Sequence, residues 1–145
     1  MPKKNRSSKR KIKKFAYIQN WGTYSNQTIV SVGMNHSDMV AYLRKIKAKI
    51  LILNNFLNNQ SVIRIIEEKV DGLVHKDYQS GVSILMFPNW KNDWKHWDCL
   101  IHEVSHLIFF VLGEQKNMAN EDEARAYQTE FLFREIRRKL FKNNA

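Results

Sequence analysis

Three observations predict an α+β fold. Four short stretches, 15–21, 27–32, 72–78 and 81–87, are alternating or apolar and bounded by turn residues, the pattern of strands. Two long segments, 94–113 and about 120–142, carry cap residues and apolar positions at helical spacing. No repeat or internal linker separates these elements. Residues 15–145 therefore read as one domain built on a small sheet, and residues 1–14 as a disordered basic tail.

The elements are justified in order. Phe15 to Trp21 alternates, Gly22 to Asn26 is a turn, and Gln27 to Val32 is rich in β-branched residues, so the two runs predict a hairpin. Gly33 breaks it. Ser37 or Asp38 caps a helix reaching about Asn54, with Met39, Leu43, Ile46, Ile50, Leu51 and Leu53 on its apolar side. Asparagines at 54, 55, 58 and 59 mark a break, and 61–70 reads as a short helix with Val62, Ile65, Ile66 and Val70 inward.

Asp71-Gly72 is a turn signal, and 72–78 with 81–87 predicts a second hairpin around Gln79-Ser80, stopped by Pro88. Asn92 or Asp93 caps the helix 94–113, and Gly113 closes it. The last helix has acids at its start and bases at its end, as the helix dipole favours, with Ala124, Tyr127, Phe131, Ile136 and Leu140 as its buried stripe.

The chemistry sits in the helix 94–113, whose centre reads His102-Glu103-Val104-Ser105-His106. Residues four apart on a helix lie on one face, so His102 and His106 can hold a single metal ion. Glu103 projects from the same turn, where its carboxylate can take a proton from water. This is the HExxH pattern, in which two histidines bind zinc and the glutamate is the general base. Such a pattern arises by chance in roughly one chain in a few hundred. Context counts against chance: Leu107 to Leu112 make the segment apolar, and two histidines and a glutamate there are costly to desolvate without partners.

Composition bounds the rest. Hydrophobic content of 43% and aromatic content of 12% indicate a globular chain. The longest apolar run, Leu107 to Leu112, is too short to span a membrane. The basic N-terminus lacks the apolar core and cleavage site of a secretory signal. A single cysteine, Cys99, leaves no intramolecular disulfide, which suits the cytoplasm.

The net charge of +10 is uneven: residues 1–14 hold eight lysines and arginines and no acid, leaving sixteen bases against fourteen acids elsewhere. The tail can hold nucleic acid or an acidic partner electrostatically, or serve only as a solubilising arm. No aromatics interleave it, which argues against dedicated single-strand recognition.

Two histidines leave zinc short of a third protein ligand. No histidine follows His106, so a carboxylate must serve. Glu114 stands too close to the end of the motif helix. Glu121, Asp122 and Glu123 open the next helix, which can pack antiparallel and present one of them. The same acids also suit a helix start, so some of them only cap it.

HEVSH followed by an acid-led helix resembles the gluzincin branch of the zincin metallopeptidases. More closely, Glu123-Ala124-Arg125-Ala126-Tyr127 is similar to the E-x-x-A-Y/N segment of small zincin-like proteins encoded by bacteriophages and of ImmA/IrrE-type peptidases. The likeness covers roughly residues 72–140. It implies a minimal zincin-like fold: a small mixed sheet whose edge strand, 81–87, packs on the HExxH helix, and an antiparallel C-terminal helix. It also implies zinc held by His102, His106 and Glu123, Glu103 as the base, and Tyr127 near the site. The implied activity is cytoplasmic hydrolysis of a protein or peptide, in a bacterial host if the chain is phage-encoded. The competing class is a non-catalytic zincin-fold protein that engages a host protein or nucleic acid through the tail.

The chain departs from these families in two places. Asn120-Glu121 imitates the start of the thermolysin-like pattern, which would make Glu121 the ligand and put Arg125 where an aspartate usually supports a histidine. Ser105 stands where the ImmA/IrrE-like proteins commonly carry glycine or alanine. Around the motif, Asp98 and His96 read as surface residues and Cys99 as a small buried hydrophobe, with a soft ligand as its other role. Trp90, Trp94 and Trp97 are expected to cover the helix start.

Overall fold

The computed structural model describes residues 13–21, 27–47, 60, 63–64, 70–77, 81–113 and 121–144. Four strands, β1 (Phe15–Asn20), β2 (Gln27–Val32), β3 (Leu73–Asp77) and β4 (Val82–Phe87), form one mixed sheet in the order β1-β2-β4-β3. Three helices accompany them: α1 (His36–Lys45), α2 (Trp94–Gly113) and α3 (Glu121–Asn144). The chain is thus α+β.

Both expected hairpins form. β1 pairs antiparallel with β2 and β3 antiparallel with β4, while β2 and β4 join the hairpins in parallel, Ile29 opposite Ile84 and Val30 opposite Leu85. That parallel seam corrects one expectation. The strand 82–87 is interior, and the edge next to α2 is β3. Its residues explain this: Ser83 to Phe87 are all buried, as a strand covered on both faces requires.

The sheet is covered on both sides because side chains alternate along each strand. Ile29, Leu73, Ile84 and Met86 face Met39 and Leu43 of α1. Val30, Val32, Leu85 and Phe87 face Leu100, Val104, Leu107 and Ile108 of α2 and Leu132, Ile136 and Leu140 of α3. A short polar chain crosses this second layer. Trp21 Nε1 donates to Thr28 Oγ1 at 2.8 Å, and the hydroxyls of Thr28 and Ser83 share a hydrogen bond of 2.8 Å. Burial without partners would cost these groups about 1–3 kcal/mol each.

Local signals explain the helix starts. α1 is capped by Asn35, not by Ser37 or Asp38: Asn35 Oδ1 accepts from the Asp38 amide at 2.9 Å, and Asp38 Oδ2 accepts from the Asn35 amide at 3.1 Å. Asp38 is therefore the reciprocal half of a capping box. α1 closes at Ile46, and the expected continuation through Ile50, Leu51 and Leu53 lies outside the described residues, as do Val62, Ile65 and Ile66. α2 is capped by Asp93, whose carboxylate accepts from the His96 amide at 3.0 Å. Gly113 is its last helical residue.

α2 and α3 run antiparallel. Trp97, near the start of α2, meets Phe133 well along α3, whereas Phe109, late in α2, lies under Arg125 early in α3. The buried stripe of α3 is Leu132, Ile136 and Leu140 with Ala124 and Phe133 partly buried. Tyr127 and Phe131, expected in that stripe, are instead 62% and 43% exposed. The sheet and α2 occupy only one side of α3, and the stripe through Leu132 and Ile136 meets them. No described helix is long and apolar enough to cross a membrane.

Candidate metal centre

α2 buries one face and turns the other to solvent. Leu100, Val104, Leu107 and Val111 are wholly buried, while His102, Ser105, His106 and Phe109 are exposed. His102 and His106 stand one turn apart on that outer face, with ring centroids 4.7 Å apart and planes at 83°. Their Nε2 atoms converge to 3.1 Å. Two nitrogens bound to one tetrahedral zinc at about 2.0–2.1 Å stand roughly 3.3–3.4 Å apart. The pair fits a single cation with a small opening of the two rings.

Glu103 is half-buried and lies round the helix from the histidines, toward β3. Two contacts fix that direction. Cys99, one turn before Glu103, packs against Gly72 and Phe87, and Lys76 of β3 sits 5.9 Å from the ring of Phe110. Glu103 thus stands between the histidine pair and the edge strand. Burial, and then the negative charges of Glu103 and Asp71, push the Cys99 thiol up to about 11. A thiol so placed behaves as the small hydrophobe expected of it.

Ser105 is accommodated by the helix itself. Its hydroxyl donates to the Ile101 carbonyl at 2.9 Å, so the extra oxygen where related patterns carry glycine or alanine is satisfied locally.

The antiparallel packing brings the start of α3 to the half of α2 that carries His106. Arg125 holds its guanidinium 4.1 Å from the ring centroid of Phe109, the residue three beyond His106. Glu121, Asp122 and Glu123 occupy the turn of backbone just before Arg125. Their side chains lie outside the described set, as does Glu114. Among the described residues no third histidine, cysteine, aspartate or glutamate joins the pair.

At the start of α2 one expectation is corrected. His96 is not a surface residue: it is 4% exposed, its Nδ1 2.6 Å from Asp93 Oδ1 and its Nε2 3.4 Å from Asp71 Oδ1. The pairing with His96 holds the Asp93 carboxyl below the ordinary carboxylate range. This cluster ties the helix start to the chain just before β3. Spacing alone does not show such a tie, because Asp71 arrives from another element. Trp90 is buried and meets Trp97 edge-on at 5.2 Å, and Trp97 Nε1 donates to Asn92 Oδ1 at 2.7 Å, so these two cover the helix start as expected. Trp94 does not, being 86% exposed. Asp98 is exposed, as expected.

No family model, curated protein or solved structure matches the chain. What the centre can do is decided by its own side chains.

Proposed function

We propose that this chain is a small zinc-dependent hydrolase of the zincin type, a metallopeptidase acting in the cytoplasm. The observation that carries the reading is the convergence of His102 and His106 Nε2 to 3.1 Å on an open helix face beside Glu103. His102, His106 and an acid at the start of α3, Glu123 by the family resemblance, would hold the ion. Zinc supplies Lewis acidity there, making water a nucleophile near neutral pH and polarising a carbonyl.

The remaining work belongs to the protein. Glu103 takes the proton from the attacking water and delivers it to the leaving amine. Glu103 is half-buried on the same helical turn as His102 and His106. The exposed face of α2 leaves room for a polypeptide substrate, and β3, as an edge strand, has backbone groups able to pair with an extended one. The buried cluster at His96 and the Trp90–Trp97 contact anchor the start of α2.

The test is Glu103→Gln, assayed for hydrolysis of a fluorogenic peptide library with the zinc-loaded protein. It should keep zinc and fold and lose about 10²–10⁴-fold in rate, the usual contribution of a positioned acid–base group. Undiminished cleavage in this variant, or none by the zinc-loaded wild type, would remove the hydrolase reading.

A further inference from the structure

On the side of the molecule where α3 meets β1, the exposed residues of α3 form a stripe of rings followed by cations. Tyr127, Phe131, Arg134, Arg138 and Lys142 recur at spacings of four, three, four and four, which places them along one helical face. Tyr127 is 62% exposed and Phe131 43%, and Phe141 adds a third exposed ring beside the far end. The two rings at the near end border an open cleft of about 440 Å³, closed on its other side by Asn20 and Trp21 at the end of β1.

α3 runs antiparallel along β1. Its residues 127–134 lie beside Asn20 and Trp21, while Lys139 sits 4.9 Å from the ring of Tyr17. Phe15, where β1 begins, therefore falls beside the last turns of α3. The chain leading into Phe15 is the basic stretch 1–14, with eight lysines and arginines and no acid. Lys14, the residue before Phe15, pairs with Asp38 of α1 at 3.0 Å. Glu130, which also lines the cleft, and the part-buried Glu135 pair with Arg134 and Arg138 at 2.6 and 3.0 Å, surface pairs of small worth that a phosphate can displace.

Exposed rings in a cleft that continues into a row of cations match what a single nucleic-acid strand requires: π faces for bases and charge along the backbone. The amides of Asn20 and Gln128 at the cleft wall add donors and acceptors for base edges. From Tyr127 to Lys142 the stripe is about 22 Å long at 1.5 Å per residue, the span of a few nucleotides. We propose that this α3–β1 face binds single-stranded nucleic acid, bases stacking at Tyr127 and Phe131 and phosphates following Arg134, Arg138 and Lys142. The proposal needs no metal, although Tyr127 follows Glu123 by one helical turn.

The test is fluorescence anisotropy of the full chain with a labelled oligothymidylate about twenty nucleotides long, titrated across salt concentrations. The variant Tyr127→Ala/Phe131→Ala should weaken binding roughly fivefold to a hundredfold for each base it unstacks. Arg134→Ala/Arg138→Ala/Lys142→Ala should lower the slope of log affinity against log salt by about 2, at about 0.7 per phosphate contact. Trp94→Ala, which removes an exposed ring outside the stripe, should change neither. Tyr127→Ala alone, at a site 62% exposed, keeps the test decisive if the double variant folds poorly. Affinity unchanged in both stripe variants would overturn the proposal. So would tighter binding of a duplex, or equal binding of polyglutamate with the same sensitivity to the variants, which would point to an acidic protein instead.

Discussion

Replacing His106 by alanine tests the metal centre at its narrowest point. With Zn–N bonds of about 2.05 Å, the observed 3.1 Å between the two Nε2 atoms corresponds to an N–Zn–N angle of roughly 98°, against 109° for a regular tetrahedron. Opening that angle moves each ring nitrogen by only about 0.1 Å, which costs little in side-chain torsion. If the proposed centre holds zinc, the two imidazoles act as one chelating pair, and losing either one loses the pair. Changes to groups that merely support a ligand already cost about 10–100-fold in metal affinity, so His106→Ala should cost more than about a hundredfold. The assay is competition against a chromophoric zinc chelator, with zinc per chain measured by elemental analysis after dialysis. Wild type should retain about one zinc. His75→Ala is the control, since His75 lies on the α1 side of the sheet with Leu73 and Ile84. Wild-type affinity in His106→Ala, or a folded wild type without zinc, would refute the reasoning.

Glu123→Ala should lose zinc under the same dialysis, and retention would move the third ligand to Glu121 or Asp122. Gly72→Ala should lower stability by about 1–3 kcal/mol and the melting temperature by roughly 3–10 °C, because a Cβ there would stand 2.9 Å from Cys99 Sγ and from the Phe87 ring. An unchanged thermal transition would show that this contact relaxes freely. Cys99, its thiol raised from 9.0 to about 11, should react with iodoacetamide at pH 8 on the order of a hundredfold more slowly than an ordinary thiol. The same shift should remove stability as pH rises from about 9 toward 11, since the unfolded thiol ionises first. Rapid alkylation of the folded protein at pH 8 would contradict the burial.

The zincin reading and the nucleic-acid face are separable. The first depends on α2 and the start of α3, the second on α3 from Tyr127 onward and on β1. Loss of hydrolysis in Glu103→Gln should leave strand binding intact.

The local elements were legible from the residues alone. Helix α2 extends over 94–113 as read, because its signals, an aspartate cap, apolar spacing and a terminal glycine, act within a turn or two of chain. The facing of His102 and His106 is likewise local, a matter of 3.6 residues per turn. Both hairpins were legible for the same reason. What the tertiary structure alone decided is which surfaces meet. The apolar run Ile84 to Phe87 suits a strand covered on both faces, but what makes it interior is its parallel pairing with β2 across the intervening chain. Tyr127 and Phe131 have the spacing of a buried stripe, as do Leu132 and Ile136, and only the placement of α2 and the sheet selects the second set for the core. His96 is buried because Asp71, far away in sequence, comes to meet it. Spacing records how a chain repeats along itself, whereas burial depends on what arrives from elsewhere, and that is decided when the layers close.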